Sequence, residues 1–254
     1  MDYFRFGSGS DTLVILPGLS VQSVMGSSDA VAQAYALLAQ DYTVYLFDRR
    51  RDVPADYTVA QMAEDTAEAM AALGLRQVCL FGVSQGGMLA LQIASAHPEL
   101  VRALAVGSTS AHMTPYQQQV FDGWADLARA GDAAGLSMAF GKAIFPAEVF
   151  ARYTDQLAAA AETVTPEELD RFVILTEAMR GFDITDRLGA IACPVLVLGA
   201  KDDAVLGPDA AEDLIARLPG CRSHLYEGYG HAAYDNAPDY KERILRFFVP
   251  GGAY

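Results

Sequence analysis

Three side chains far apart in the chain have the types needed to make a hydroxyl nucleophilic. Ser84 stands in Gly82-Val83-Ser84-Gln85-Gly86, directly after an apolar run and directly before a helical pattern. A serine at a sharp strand-to-helix turn needs glycine on either side to avoid steric contact. Its hydroxyl is then left exposed at the strand's carboxyl end. A hydroxyl is a poor nucleophile at neutral pH, so it also requires an imidazole to take its proton and a carboxylate to orient that imidazole.

The chain has four histidines. His97 precedes Pro98 at a helix end and reads as a surface cap, and His224 lies inside an expected strand. His112 opens a helical region and suits substrate contact better than proton transfer. His231, in Tyr229-Gly230-His231-Ala232-Ala233 after the last expected strand, is the best general base because little side-chain bulk flanks it. The orienting acid should follow a strand between Ser84 and His231, where Asp202 and Asp203 stand side by side. Asp203 is preferred because the apolar pair Val205-Leu206 would anchor its loop; Asp202 is the alternative.

Acyl transfer also needs two donors aimed at a developing oxyanion. The backbone N–H of Gln85 is one expected donor, and the N–H of Leu19, in Leu16-Pro17-Gly18-Leu19-Ser20, is the other.

The elements that must position these groups follow from apolar patterning. Short runs rich in Val, Ile and Leu at 12–16, 43–47, 77–81, 103–107 and 195–199, with a weaker sixth at 223–227, predict strands. Helical spacing over 59–73 before Gly74, over 87–96 before His97-Pro98, and over 210–218 before Pro219-Gly220 predicts crossover helices. The alternation is that of a parallel sheet with helices on both faces. Between 112 and 189 the strand-like runs vanish, predicting an inserted helical cap that divides a core of 1–111 and 190–254. Most aromatic residues of the cap should serve its own packing. Trp124, Phe140, Phe145, Tyr153 and Met179 are the candidates for lining an apolar pocket. Arg49 or His112 could meet an anionic substrate end, although a structural salt bridge is the plainer reading of Arg49.

At 254 residues, 52% hydrophobic and 20% charged, the composition is that of one globular domain with an insertion and excludes disorder. The formal charge of -14 opposes nucleic acid and anionic membrane surfaces as partners and leaves a small-molecule substrate. Cys79, Cys193 and Cys221 are odd in number and widely spaced, which supports neither a disulfide framework nor a zinc site. With no signal-like segment and no bilayer-length apolar stretch, the expectation is a soluble cytoplasmic protein; the oligomeric state is left open.

Taken in order, Pro17-Gly18-Leu19, Phe47-Asp48-Arg49-Arg50, Gly82-Val83-Ser84-Gln85-Gly86, Asp202-Asp203 and Gly230-His231 resemble the α/β-hydrolase superfamily over nearly the whole chain. The chain departs from many members in carrying Pro17-Gly18 where they have His-Gly. The resemblance implies an α/β-hydrolase fold with a mostly parallel eight-stranded sheet, a cap closing over the serine, and no cofactor. The leading expectation is a serine hydrolase of a small carboxylic ester or lactone. Amide or carbon-carbon bond hydrolysis by the same triad is one alternative. The other is a ligand-binding protein of this fold with little turnover.

Overall fold

The computed structural model describes residues 1–218 and 220–249. Pro219, expected as a helix stop, lies outside the described residues, as do 250–254 of the expected core. The strands are β1 (Tyr3–Phe6), β2 (Asp11–Leu16), β3 (Tyr42–Phe47), β4 (Val78–Val83), β5 (Val101–Gly107), β6 (Val195–Ala200) and β7 (Arg222–Tyr226). The helices are α1 (Ser28–Ala34), α2 (Val59–Ala72), α3 (Gln85–Ala96), α4 (Pro115–Arg129), α5 (Ala133–Ile144), α6 (Ala147–Ala161), α7 (Pro166–Glu177), α8 (Ala210–Arg217), α9 (Ala233–Asn236) and α10 (Tyr240–Phe248).

The described strands form one sheet in the order β1-β3-β2-β4-β5-β6-β7, parallel except for β1, which pairs antiparallel with β3. That is seven strands where the resemblance implies eight. The outer edge beside β3 is closed by the single four-residue strand β1, whose polar alternation in Tyr3-Phe4-Arg5-Phe6 leaves it half exposed. Central strands β4 (VCLFGV) and β6 (VLVLGA) are buried along their whole length, as continuous apolar runs covered on both faces must be.

Alternate residues of each strand feed opposite cores. Val14 and Leu16 join Met62, Leu89 and Leu214 from α2, α3 and α8 on one face. Leu13 and Ile15 join Tyr35, Ile244 and Phe247 on the other. The crossover helices begin and end where local chemistry dictates. Thr58 caps α2 in a reciprocal box with Gln61, and Gly74 takes the left-handed conformation (φ 71°) that closes it. β4 runs two residues beyond the expected strand and α3 begins two residues before the expected helix, so Ser84 alone makes the turn between them.

Helices α4 to α7 are inserted between β5 and β6. Thr114 and Thr165 cap α4 and α7 with Gln117 and Glu168, each followed by proline at the first helical position. The insertion leaves and rejoins the core at one place. His112 bridges antiparallel to Asp183, with Met113 N–H donating to Phe182 O at 2.8 Å and Ile184 N–H to Ala111 O at 2.9 Å. Its interior is aromatic: Trp124 packs on Phe121 and Phe140 with ring centroids 5.4 and 4.5 Å apart, and Phe140 meets the fully buried Phe172 edge-on at 6.4 Å.

Phe172 on α7 joins this cluster to the main core. Phe172→Ala should therefore cost about 3–5 kcal/mol, read as a lower midpoint in chemical denaturation.

Candidate active site

Ser84 has φ 54° and ψ −124°, a left-handed conformation rarely held by a residue with a side chain. It persists because the surroundings over-determine it. A Cβ on Gly82 would lie 2.3 Å from Gly86 O, and one on Gly86 would lie 2.1 Å from Leu16 O and 2.4 Å from Pro17 O. No other residue fits at either position. Ser84 is also tied to the end of β5, with its N–H donating to Gly107 O at 2.9 Å and its carbonyl accepting from Thr109 Oγ1 at 2.8 Å.

The Pro17-Gly18-Leu19 loop lies against this turn. A Cβ on Gly18 would stand 3.2 Å from Ser84 Cβ and 3.7 Å from its Oγ. Gln85 opens α3, so its N–H is among the helix donors without an intrahelical acceptor. Among the described residues the Leu19 N–H has no acceptor either. Both N–H groups are thus unpaired among the described residues, on the two segments that meet at Ser84.

The structure separates the two neighbouring aspartates. His231 Nδ1 lies 2.8 Å from Asp203 Oδ2, with both side chains nearly fully buried. Asp203 Oδ1 accepts the N–H groups of Val205 and Leu206, each at 2.9 Å, so the apolar pair anchors this carboxylate through its backbone. Burial acts to raise the Asp203 pKa, but the His231 ring and the two amides outweigh it and hold the carboxyl below its ordinary value. Asp202 turns away and accepts from Gly228 N–H at 3.2 Å and Gly230 N–H at 3.0 Å, bracing the loop that delivers His231.

The end of β5 joins the two halves. Ser108, itself left-handed at φ 43°, donates its hydroxyl to His231 O at 2.7 Å, while Gly107 and Thr109 hold Ser84. Among the described residues neither the Ser84 hydroxyl nor His231 Nε2 makes a hydrogen bond. Catalytic hydrogen bonds commonly tighten only once substrate is bound.

The candidate pocket residues are dispersed. Phe140 lines a cavity of about 580 Å³ between α5, α6 and the loop that starts at Leu19. Trp124 is packed between Phe121 and Phe140 inside the insertion, and Met179 is buried. Half-buried Phe145 stacks on exposed Tyr153 at 5.3 Å, next to Ile144, whose carbonyl accepts from Ala232 N–H at 2.9 Å. His112 lies in a separate cavity of about 440 Å³ with Tyr116, Leu206 and Asp213, its Nδ1 3.6 Å from Asp213. Among the described residues no cluster of three or more His, Cys, Asp or Glu is placed to hold a metal ion, and no helix is long and apolar enough to cross a membrane.

Arg49 departs from its expected salt bridge. Among the described residues no carboxylate lies within ion-pair distance of its guanidinium. It donates instead to Pro17 O and to the Gln85 side chain.

A family model described as "Alpha/beta hydrolase family" matches residues 13–240. The chain belongs to the alpha/beta hydrolase family. Among curated relatives of this hydrolase, "Putative carbamate hydrolase RutD" of Klebsiella pneumoniae (strain 342) is 29% identical over 93% of the chain and 90% of that protein. "Serine hydrolase BPHL" of Mus musculus is 26% identical over 98% of the chain and 82% of that protein. In fold the hydrolase is similar to MGS-M2, an alpha/beta hydrolase enzyme from a Medee basin deep-sea metagenome library. The TM-score is 0.86 at 23% identity, over 97% of this chain and 93% of that one. It is similar also to the enol-lactonase of Burkholderia xenovorans LB400, with a TM-score of 0.84 at 19% identity over 98% and 96%.

Ser108, Thr109 and the Gln85 side chain were not singled out by the sequence reading. The run Gly107-Ser108-Thr109-Ser110 at a strand's carboxyl end, where open α/β sheets bind ligands, was the available signal.

The depressed Asp203 carboxyl makes a pH prediction with a definite sign. Its contribution to stability is complete above the ordinary aspartate pKa and is lost as pH falls through the lower, folded value. Asp203→Asn should therefore flatten the acid limb of stability against pH, measured by denaturation at successive pH values.

Proposed function

We propose that this hydrolase is a serine hydrolase that cleaves a small carboxylic ester or lactone through an acyl-enzyme intermediate. The observation that carries the reading is the His231–Asp203 pair, anchored through Ser108 to the same strand end that holds Ser84. Ser84 Oγ attacks the carbonyl carbon while His231 Nε2 takes its proton. The N–H groups of Leu19 and Gln85 stabilise the oxyanion, each worth about 3–4 kcal/mol in the transition state. The intermediate collapses by breaking the bond to the alcohol oxygen, which leaves with the proton from His231. Water then attacks the acyl carbon and gives its proton to His231, and the second tetrahedral intermediate breaks its bond to Ser84 Oγ, which takes that proton back as the acid departs. Asp203 holds the imidazole in the tautomer with its proton on Nδ1 and stabilises the imidazolium.

The ester preference is supported by the apolar side of the 580 Å³ cavity, where Phe140, Leu157, Ala160, Ala161 and Val164 offer room for an uncharged group. Carbamates form a second reading, favoured by the name of the RutD relatives, since the same nucleophile and donors serve a carbamate carbonyl.

Purified protein should label at Ser84 with a fluorophosphonate and hydrolyse members of a panel of p-nitrophenyl esters, lactones, carbamates and aminoacyl amides. Ser84→Ala should abolish both. Turnover confined to the amides would overturn the ester reading, and a chain that labels nowhere would overturn the serine mechanism. Asp203→Asn should lower kcat by about 10⁴, whereas Asp202→Asn, which touches only the bracing contacts, should cost far less.

A further inference from the structure

The proposed reaction depends on the Leu19 N–H being held still, yet it follows Gly18, the most pliable residue in the loop. Fixing the Pro17–Gly18 peptide anchors the near end of the segment that carries the donor, and so narrows where the donor can lie. Among the described residues the Pro17 carbonyl, the last acceptor before that joint, is bound by one group: Arg49 NH2 at 2.7 Å.

The same guanidinium reaches the other side of the site. Its Nε and NH2 donate to Gln85 Oε1 at 3.2 and 3.1 Å, and Gln85 Nε2 donates onward to Leu175 O on α7 at 2.7 Å. Arg49 is 4% and Gln85 1% exposed, so these bonds form away from water. A buried cation whose acceptors are neutral amide oxygens is costly, and nothing in the packing of the sheet requires one there. Burial lowers the Arg49 pKa to about 10, which still leaves it charged at neutral pH. Asp48 acts on it only through space, because that carboxylate accepts from Ser23 Oγ at 2.6 Å and from the Arg49 backbone N–H at 2.7 Å, with Arg171 at 3.5 Å.

We propose that Arg49 is a positioning residue for the oxyanion hole: its planar fork clips the Pro17 carbonyl to the Gln85 side chain and so sets the spacing between the Leu19 and Gln85 N–H donors. The clip extends through Gln85 to Leu175, so the position of α7 is coupled to the same pair of donors. This rests on the serine-hydrolase reading. It uses the planar fork of arginine and not the charge alone, since Nη2 reaches both acceptors while Nε adds a second bond to Gln85, and a lysine ammonium lacks that second nitrogen and the fixed plane.

The test uses Arg49→Lys, Arg49→Met and Gln85→Met, the last of which keeps the backbone N–H and removes the acceptor of the fork. Three quantities are measured: the rate of fluorophosphonate labelling at Ser84, kcat and KM for the best ester of the panel, and the inhibition constant of a trifluoromethyl ketone that mimics the tetrahedral adduct. The expected result for Arg49→Lys is a ten- to hundredfold loss in kcat with KM within about threefold, and a matching weakening of the ketone. Because Gln85→Met breaks the same clip, the double variant should lose little more than either single variant.

If Arg49→Lys and Gln85→Met both label and turn over at the unaltered rate, the proposal is overturned while the serine mechanism stands. A purely structural role, with denaturation midpoints lowered and losses that add in the double variant, also overturns it. Should Arg49→Met fail to fold, Arg49→Lys and Gln85→Met decide between the same outcomes. Absence of labelling in the unaltered chain overturns the mechanism itself, and the role of Arg49 with it.

Discussion

One steric constraint governs the site: the backbone at Ser84 must reverse from strand to helix within a single residue. The carbonyls of Leu16 and Pro17 come so close to α3 that Gly86 cannot carry a Cβ, and Gly82 is excluded from doing so by Gly86 itself. That packing pays for the left-handed conformation of Ser84 and brings the neighbouring loop along, because β2 cannot lie against α3 without delivering Gly18 and Leu19 to the serine. The conformation of Ser84 and the position of the Gly18-Leu19 loop are therefore two results of one close contact.

The carboxylate and imidazole of the Asp203–His231 pair are held by different means. Adjacent aspartates in one loop receive opposite tasks because of the amides each finds: Asp203 takes those of Val205 and Leu206 and faces the imidazole, whereas Asp202 takes those of Gly228 and Gly230. Asp202 is exposed, whereas the buried Asp203 would be costly without the donors it finds. The result is a loop in which the negative charge beside His231 is fixed in direction, and the segment carrying His231 is restrained from two sides, by Asp202 below and by Ser108 at its carbonyl.

Much of this was legible in the chain because it is local. Apolar runs of about five residues mark strands covered on both faces, and glycine or proline after a helical pattern marks helix ends. The glycines around Ser84 mark a turn whose purpose is hard to mistake. The preference for Asp203 rested on Val205-Leu206 anchoring the loop, and the anchor is real, although it works through backbone N–H groups as well as burial. What escaped the reading was non-local or weakly patterned. The edge strand β1 is short and aromatic, its partner β3 lies some forty residues away, and nothing local predicts the pairing. Arg49 reads from the chain as half of a salt bridge, but the fold sends the neighbouring Asp48 carboxylate to Ser23 and the guanidinium to two amide oxygens. Trp124 and Phe140 are indistinguishable by spacing, and only their neighbours show that one is spent on internal packing while the other borders a cavity.

The four-helix excursion departs beside His112 and returns beside Asp183, a pair of positions already bridged to each other. Its two ends are thus stapled together at the sheet, and the path of the core is continuous whether the excursion is long or short. A chain built this way can exchange the excursion without rethreading the strands of the sheet. The excursion still grips the core at several points: Ile144 O accepts from Ala232 N–H just after His231, Leu175 O from the Gln85 side chain, and Ala178 O from Val59 N–H. Any replacement for the excursion inherits the duty of supplying those acceptors.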